Sequence, residues 1–143
     1  MAQASPDEEA LKQFIMEIRY LEGTAETLQT RLNMVEASLA DLRVAHSTLE
    51  GIKVQKIDDQ ILIPIGGNTY VKAKLDDPTN VITGIGAEVA TEKSVDETTE
   101  RINQQLSELE KIRTSIQQQF SQVATRLEQD RARLNEMAGR QSQ

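Results

Sequence analysis

The fold predicted for these 143 residues is α+β: a long antiparallel two-helix coiled coil with two β-hairpins inserted between the helices. Three observations carry that expectation. An alternating 3-4 spacing of apolar residues runs near each end, a capping-box signature opens each of those stretches, and Gly, Pro and β-branched residues concentrate in the middle. The whole chain reads as one domain, with helices over 5–52 and 94–138 and an assembly region over 53–93.

The first helix opens at Ser5-Pro6-Asp7-Glu8, where Ser5 can cap, Pro6 suits the first helical position and Glu8 can close a capping box. Its seam is formed by two interleaved heptad series. One is Leu11, Ile18, Ala25, Leu32, Leu39 and His46; the other is Phe14, Leu21, Leu28, Val35, Leu42 and Leu49. A stripe at a 3.5-residue period over six heptads marks a coiled-coil seam rather than the broader face of a helix lying on a globule. Gly51 is the expected stop. His46, the only histidine, sits in the seam as a polar, register-setting residue.

The second helix repeats these features. Ser94-Val95-Asp96-Glu97 is its capping box and Gly139 its expected terminator. The seam runs Thr99, Leu106, Arg113, Phe120, Leu127 and Leu134, interleaved with Val95, Ile102, Leu109, Ile116, Val123, Asp130 and Met137. Arg113 and Asp130 interrupt it as polar positions that set register and pairing. Each helix of roughly 45 residues would extend about 65–70 Å. Equal lengths favour folding back as a hairpin, although heptads alone do not exclude pairing between chains.

In the middle, Ile61 to Ile65 and Thr69 to Leu75 flank Gly66-Gly67-Asn68, a turn cluster that admits positive φ. Val81 to Ile85 and Val89 to Glu92 form a second, weaker hairpin beyond the loop Asp76–Asn80. Lys72 and Lys74 alternate with Val71, Ala73 and Leu75, giving one polar and one apolar face. Four short strands cannot hide their apolar faces beside a thin coil, and open strand edges recruit other strands. Oligomerisation through this segment is therefore expected, with sheets from several chains closing together.

Composition excludes several functions. Only 3% of residues are aromatic, so a conventional compact globule is not expected. A net charge of −7 opposes binding to a phosphate backbone, and no apolar run reaches the ~18 residues of a membrane span. Met1 to Glu9 lacks the basic start and apolar stretch of a signal peptide, and the absence of Cys accords with a cytoplasmic location. One histidine builds no triad or His-type metal site. Asp58-Asp59 and Asp76-Asp77 read as turn residues rather than metal ligands. Gly84-Ile85-Gly86-Ala87-Glu88-Val89 lacks the third glycine and the helix of a dinucleotide loop. No catalytic residue, cofactor or metal is expected, so any work done is ATP-independent.

The free helix ends carry the better functional signal. Leu11, Phe14, Ile15 and Met16 lie at the start of the first helix, and Leu134 and Met137 near the end of the second. Ile15 and Met16 fall outside the seam, where a plain coil would place polar residues. Flexible Met beside aliphatic and aromatic side chains suits a surface that accepts many apolar partners.

Ile61-Leu62-Ile63-Pro64-Ile65-Gly66-Gly67-Asn68-Thr69-Tyr70-Val71-Lys72-Ala73-Lys74-Leu75, then Val81 to Lys93, set between two long coils, resembles the alpha class of prefoldin subunits. The two-hairpin middle separates that class from the one-hairpin beta class, and the lack of aromatics at Val89 and Ala90 resembles archaeal members. The resemblance implies a hexamer of two alpha and four beta subunits, whose hairpins close an intersubunit double β-barrel. It also implies an ATP-independent chaperone that captures non-native client proteins with coiled-coil tips and delivers them to a group II chaperonin. The barrel residues would be Ile61, Ile63, Ile65, Tyr70, Val71, Leu75, Val81, Ile82, Ile85 and Val89; the tip residues would be those named above. The rival expectation is a structural coiled-coil adaptor binding one folded partner.

Overall fold

The computed structural model describes residues 5–141. The element order is α1 (Pro6–Lys53), β1 (Gln60–Gly66), β2 (Thr69–Lys74), β3 (Asn80–Gly86), β4 (Val89–Ser94) and α2 (Val95–Gln141). The chain divides into two compact units, one combining α1 up to Ala37 with α2 from Glu110, the other Ser38–Leu109.

Both predicted N-caps form. Ser5 Oγ accepts the Glu8 N–H at 3.2 Å, and Ser94 Oγ accepts the Glu97 N–H at 3.1 Å, each satisfying an amide that the first turn leaves without a partner. Both predicted stops are corrected. Gly51 and Gly139 lie inside their helices, which run on to Lys53 and Gln141. Neither glycine adopts positive φ, so neither makes the left-handed cap that ends a helix.

In the first unit the predicted seam is the core. Ile18, Leu28, Ile116 and Leu127 are buried, and Leu21, Ala25, Leu32, Val35, Phe120 and Val123 are half-buried between them. Ion pairs cross from α1 to α2 at Glu17–Arg126 (2.9 Å), Glu22–Arg131 (3.0 Å) and Glu36–Arg113 (3.7 Å); as α1 advances from Glu17 to Glu36 the partner on α2 steps back from Arg126 to Arg113, so the two segments are antiparallel. Arg113 thus reaches out of the seam to a carboxylate. Asp130 is buried; its Oδ1 lies 3.4 Å from Arg126 Nε, and its Oδ2 has no hydrogen-bond partner.

In the second unit Leu49, Val95 and Ile102 form a buried cluster, joined by Leu42, Ala45, Ile52, Val81 and Leu106. Leu39 is fully buried at 0% exposure. Thr99, a polar seam residue, is buried with its hydroxyl donating to the Val95 carbonyl at 2.7 Å, so its burial leaves no donor unmade. Lys53 meets Asp96 at 3.5 Å, linking the end of α1 to the start of α2.

The strands form two separate two-stranded antiparallel sheets, β1-β2 and β3-β4. Their registers coincide at an offset of twenty residues: Gln60 pairs Lys74 as Asn80 pairs Ser94, and Gly66 pairs Thr69 as Gly86 pairs Val89. Each ladder shifts register just before its turn, at Pro64/Gly66 and at Gly84/Gly86. The second hairpin is therefore a full counterpart of the first rather than a weaker one. Gly67 and Asn68 turn with φ of 58° and 58°, Ala87 and Glu88 with 48° and 61°. Two positive φ values at the centre of a two-residue loop match the twist of the flanking strands.

Candidate interaction surfaces

Two exposed apolar regions stand out, one on the first unit and one on the second. At the start of α1, Met16 is 70% exposed, while Leu11, Phe14 and Ile15 are half-buried. Leu134 and Met137 are half-buried on α2. The antiparallel run of α1 and α2, marked by Glu17–Arg126 and Glu36–Arg113, brings these residues to one end of the unit. One detail is corrected: Ile15 flanks the seam and is partly covered, so only Met16 stands clear of it. The Arg126 guanidinium, hydrogen-bonded to Glu17, holds that carboxyl below its usual range, and the same contact raises Arg126. The end of the unit is thus fastened by ion pairs around its apolar residues.

On the hairpins, Ile63, Ile65, Tyr70, Val71, Ile82, Ile85 and Val89 are exposed, and Ile82 reaches 79%. Ile61, Leu75 and Val81 are half-buried. Ile63 lies opposite Val71 and Ile61 opposite Ala73 on one face of the first hairpin. The other face carries Leu62 opposite Lys72 and Pro64 opposite Tyr70. Leu62, 60% exposed, was not among the expected assembly residues, nor were Val54 and Ile57, which are exposed in the segment before β1. The unbroken run Ile61-Leu62-Ile63-Pro64-Ile65 was the available signal for Leu62, since a strand apolar at every position expects cover on both faces. Each sheet has only two strands, so each keeps unpaired outer edges within the chain.

The acidic pairs serve the turns. Asp59 accepts the Lys56 N–H at 2.8 Å, and its backbone carbonyl accepts from the Leu75 N–H at 2.9 Å. Asp77 Oδ1 accepts the Thr79 N–H (2.8 Å), the Thr79 hydroxyl (2.7 Å) and the Asn80 N–H (3.2 Å). These bonds, led by that from the Thr79 hydroxyl, lower its pKa to about 2. Among the described residues no group of three His, Cys, Asp or Glu could hold a metal ion. His46 Nε2 lies 3.9 Å from Glu50. The Gly84–Val89 segment is the end of β3 and the turn into β4. Among the described residues, no helix is long and apolar enough to cross a membrane.

Apolar surface displayed on the hairpins and at the helix ends is the mark of a class of protein that associates with other chains. The prefoldin subunit family model matches residues 21–140. The prefoldin subunit alpha of Methanopyrus kandleri is 35% identical over 113 residues, spanning 79% of this chain and 72% of that protein. The prefoldin subunit alpha of Pyrococcus horikoshii is 25% identical over 133 residues, 92% and 90% of the two chains. A cryo-EM structure of filamentous prefoldin from Methanocaldococcus jannaschii shares the fold with a TM-score of 0.65 and 21% identity, over 82% of this chain and 98% of that one. The chain belongs to the prefoldin family of chaperone subunits, in its alpha class.

Proposed function

We propose that this chain is the alpha subunit of a cytoplasmic, ATP-independent holdase. Two copies join four beta subunits, the hairpins of all six closing a shared β-barrel, and the coiled-coil ends grip non-native proteins before passing them to a group II chaperonin. The observation that carries this is the apolar set at one end of the first unit, with Met16 exposed and Leu11, Phe14, Ile15, Leu134 and Met137 half-buried. Partly covered apolar side chains on a fraying helix end bind an unfolded segment weakly, and several such ends on one platform raise the effective concentration for the next contact. Weak single contacts also allow release without nucleotide hydrolysis. The exposed hairpin side chains support assembly, because isolated two-stranded hairpins are marginal in water and gain most from closing against other strands.

A panel of unrelated denatured proteins, diluted into buffer with the assembled complex and no nucleotide, tests the proposal by light scattering. Aggregation of most of the panel should fall. A complex that ignores them all, or retains one folded partner alone, would be an adaptor instead.

A further inference from the structure

On one flank of the first unit, Glu17 of α1 meets Arg126 of α2 at 2.9 Å. One heptad further along α1 and one back along α2 stand Thr24 and Gln119, neither charged. The next heptad step reaches Arg31 and, on α2, Ile112, an apolar residue 47% exposed. From Thr114 to Thr125, α2 has no charged residue at all, so it offers α1 no acid there. Arg31, and Arg19 on the back of α1, are left without an ion-pair partner among the described residues. Arg113, Arg126 and Arg131 each have one.

These two guanidiniums stand at either end of a groove of about 570 Å³. It passes obliquely from Arg19, by Tyr20 and Gly23, to Leu28 and Arg31 beside the seam, with Gln119 of α2 as its far wall. Leu28 is buried and makes an apolar floor, while Tyr20, 73% exposed, stands up beside it. Gly23 has no positive φ, and a Cβ built on it meets nothing within 4 Å. Neither the backbone nor the packing of this chain requires a glycine there; its effect is to let another backbone approach closely. The Thr24 and Thr27 hydroxyls donate back to the Tyr20 and Gly23 carbonyls at 3.0 Å each. The donors left facing the groove are the two guanidiniums and the Gln119 amide. No carboxylate lines it, and nearby Glu17 and Glu22 are taken by Arg126 and Arg131.

We infer that this groove binds an extended, acidic peptide segment of a partner protein. Arg19 and Arg31 are ~18 Å apart along the helix axis, the reach of about five residues of extended chain. Two carboxylates at that spacing meet both guanidiniums, each of which can hold a carboxylate through paired hydrogen bonds. An apolar side chain between them packs on Tyr20 and Leu28. The Gln119 amide, donor and acceptor at once, suits the peptide backbone. Two cations on a chain of net charge −7 fall short of the clustered charge that a nucleic acid needs. The groove begins beyond Met16, so its occupant leaves the helix end uncovered, and the inference does not depend on what that end binds.

Fluorescence anisotropy with the full chain tests this, the probe being a labelled hexapeptide with glutamate at each end and leucine and serine between. Its binding should saturate and should weaken as salt rises from ~50 to ~500 mM. A hexapeptide of the same composition with both glutamates at one end should bind ~3–10-fold less tightly. Arg19→Gln or Arg31→Gln should cost as much, and the two together should abolish saturable binding. Gly23→Leu should also weaken binding; since it improves helix propensity, unchanged or higher helicity by circular dichroism separates a filled groove from a damaged fold. Arg133→Gln, the same charge change outside the groove, should leave the affinity unaltered. No binding of the spaced peptide, equal binding of the clustered one, or indifference to Gly23→Leu would each overturn the inference. So would an equal loss with Arg133→Gln, or tighter binding of a single-stranded oligonucleotide than of the peptide.

Discussion

Asp77 ties down the link between the hairpins by accepting hydrogen bonds from Thr79 and Asn80. Its folded pKa of about 2 lies below the ordinary 3.8, so folding favours the ionised form. Its contribution is complete above pH ~4 and is lost as pH falls through 2. The stability gap between the wild-type chain and Asp77→Asn, measured by urea unfolding at fixed chain concentration, should therefore stay level from pH 7 to about 5 and narrow between 4 and 2. Asp130 is buried in the seam, with one carboxyl oxygen 3.4 Å from Arg126 and the other lacking a hydrogen-bond partner. Asp130→Leu should raise the stability of the chain by about 1–3 kcal/mol, read from the same unfolding curves, because apolar packing replaces a buried carboxyl with only one oxygen paired. Leu39, with no exposed surface, should cost about 2–5 kcal/mol on truncation to Ala.

At the level of elements, both helices and both hairpins were legible, and for physical reasons. Every one of the twelve seam positions named for α1 and the thirteen for α2 is buried or half-buried, because a 3.5-residue stripe has only one way to leave water. The helix ends were less legible. Gly51 and Gly139 looked like stops, but Ile52, just beyond Gly51, packs against the buried cluster of Leu49, Val95 and Ile102, and this packing carries α1 through a residue of poor propensity. The second hairpin looked weaker because its turn lacks the Gly-Asn pair, yet Ala87 and Glu88 accept positive φ and keep the register. That conformation costs non-glycine residues about 1 kcal/mol or more. Replacing the pair by Ala87→Asn with Glu88→Gly should thus stabilise the hairpin by about 1 kcal/mol, seen as slower amide exchange across β3 and β4. Of the candidate surfaces, Met16 was readable as an apolar residue outside the seam. Val54 and Ile57 were not, since they lie in an irregular segment that offers no periodicity against which exposure could be judged.

For the molecule as a whole, the scarcity of aromatics and the charge of −7 belong to narrow, solvated helices rather than to a globular core. Apolar area that a globule would bury inside itself is displayed on the hairpins and at the start of α1. Assembly through the hairpins predicts that Ile63→Asp with Ile85→Asp lowers the mass of the complex formed with beta subunits, measured by sedimentation, while helicity is kept. The central claim is that the helix ends hold non-native protein. Its most direct measurement is light scattering of a denatured protein diluted into buffer with the complex, comparing the wild-type chain with one carrying Ser at Leu11, Phe14, Ile15, Met16, Leu134 and Met137. With only these alpha-subunit ends altered and sedimentation confirming equal mass, the variant complex should suppress aggregation clearly less well. Equal suppression by an intact variant complex would contradict the claim.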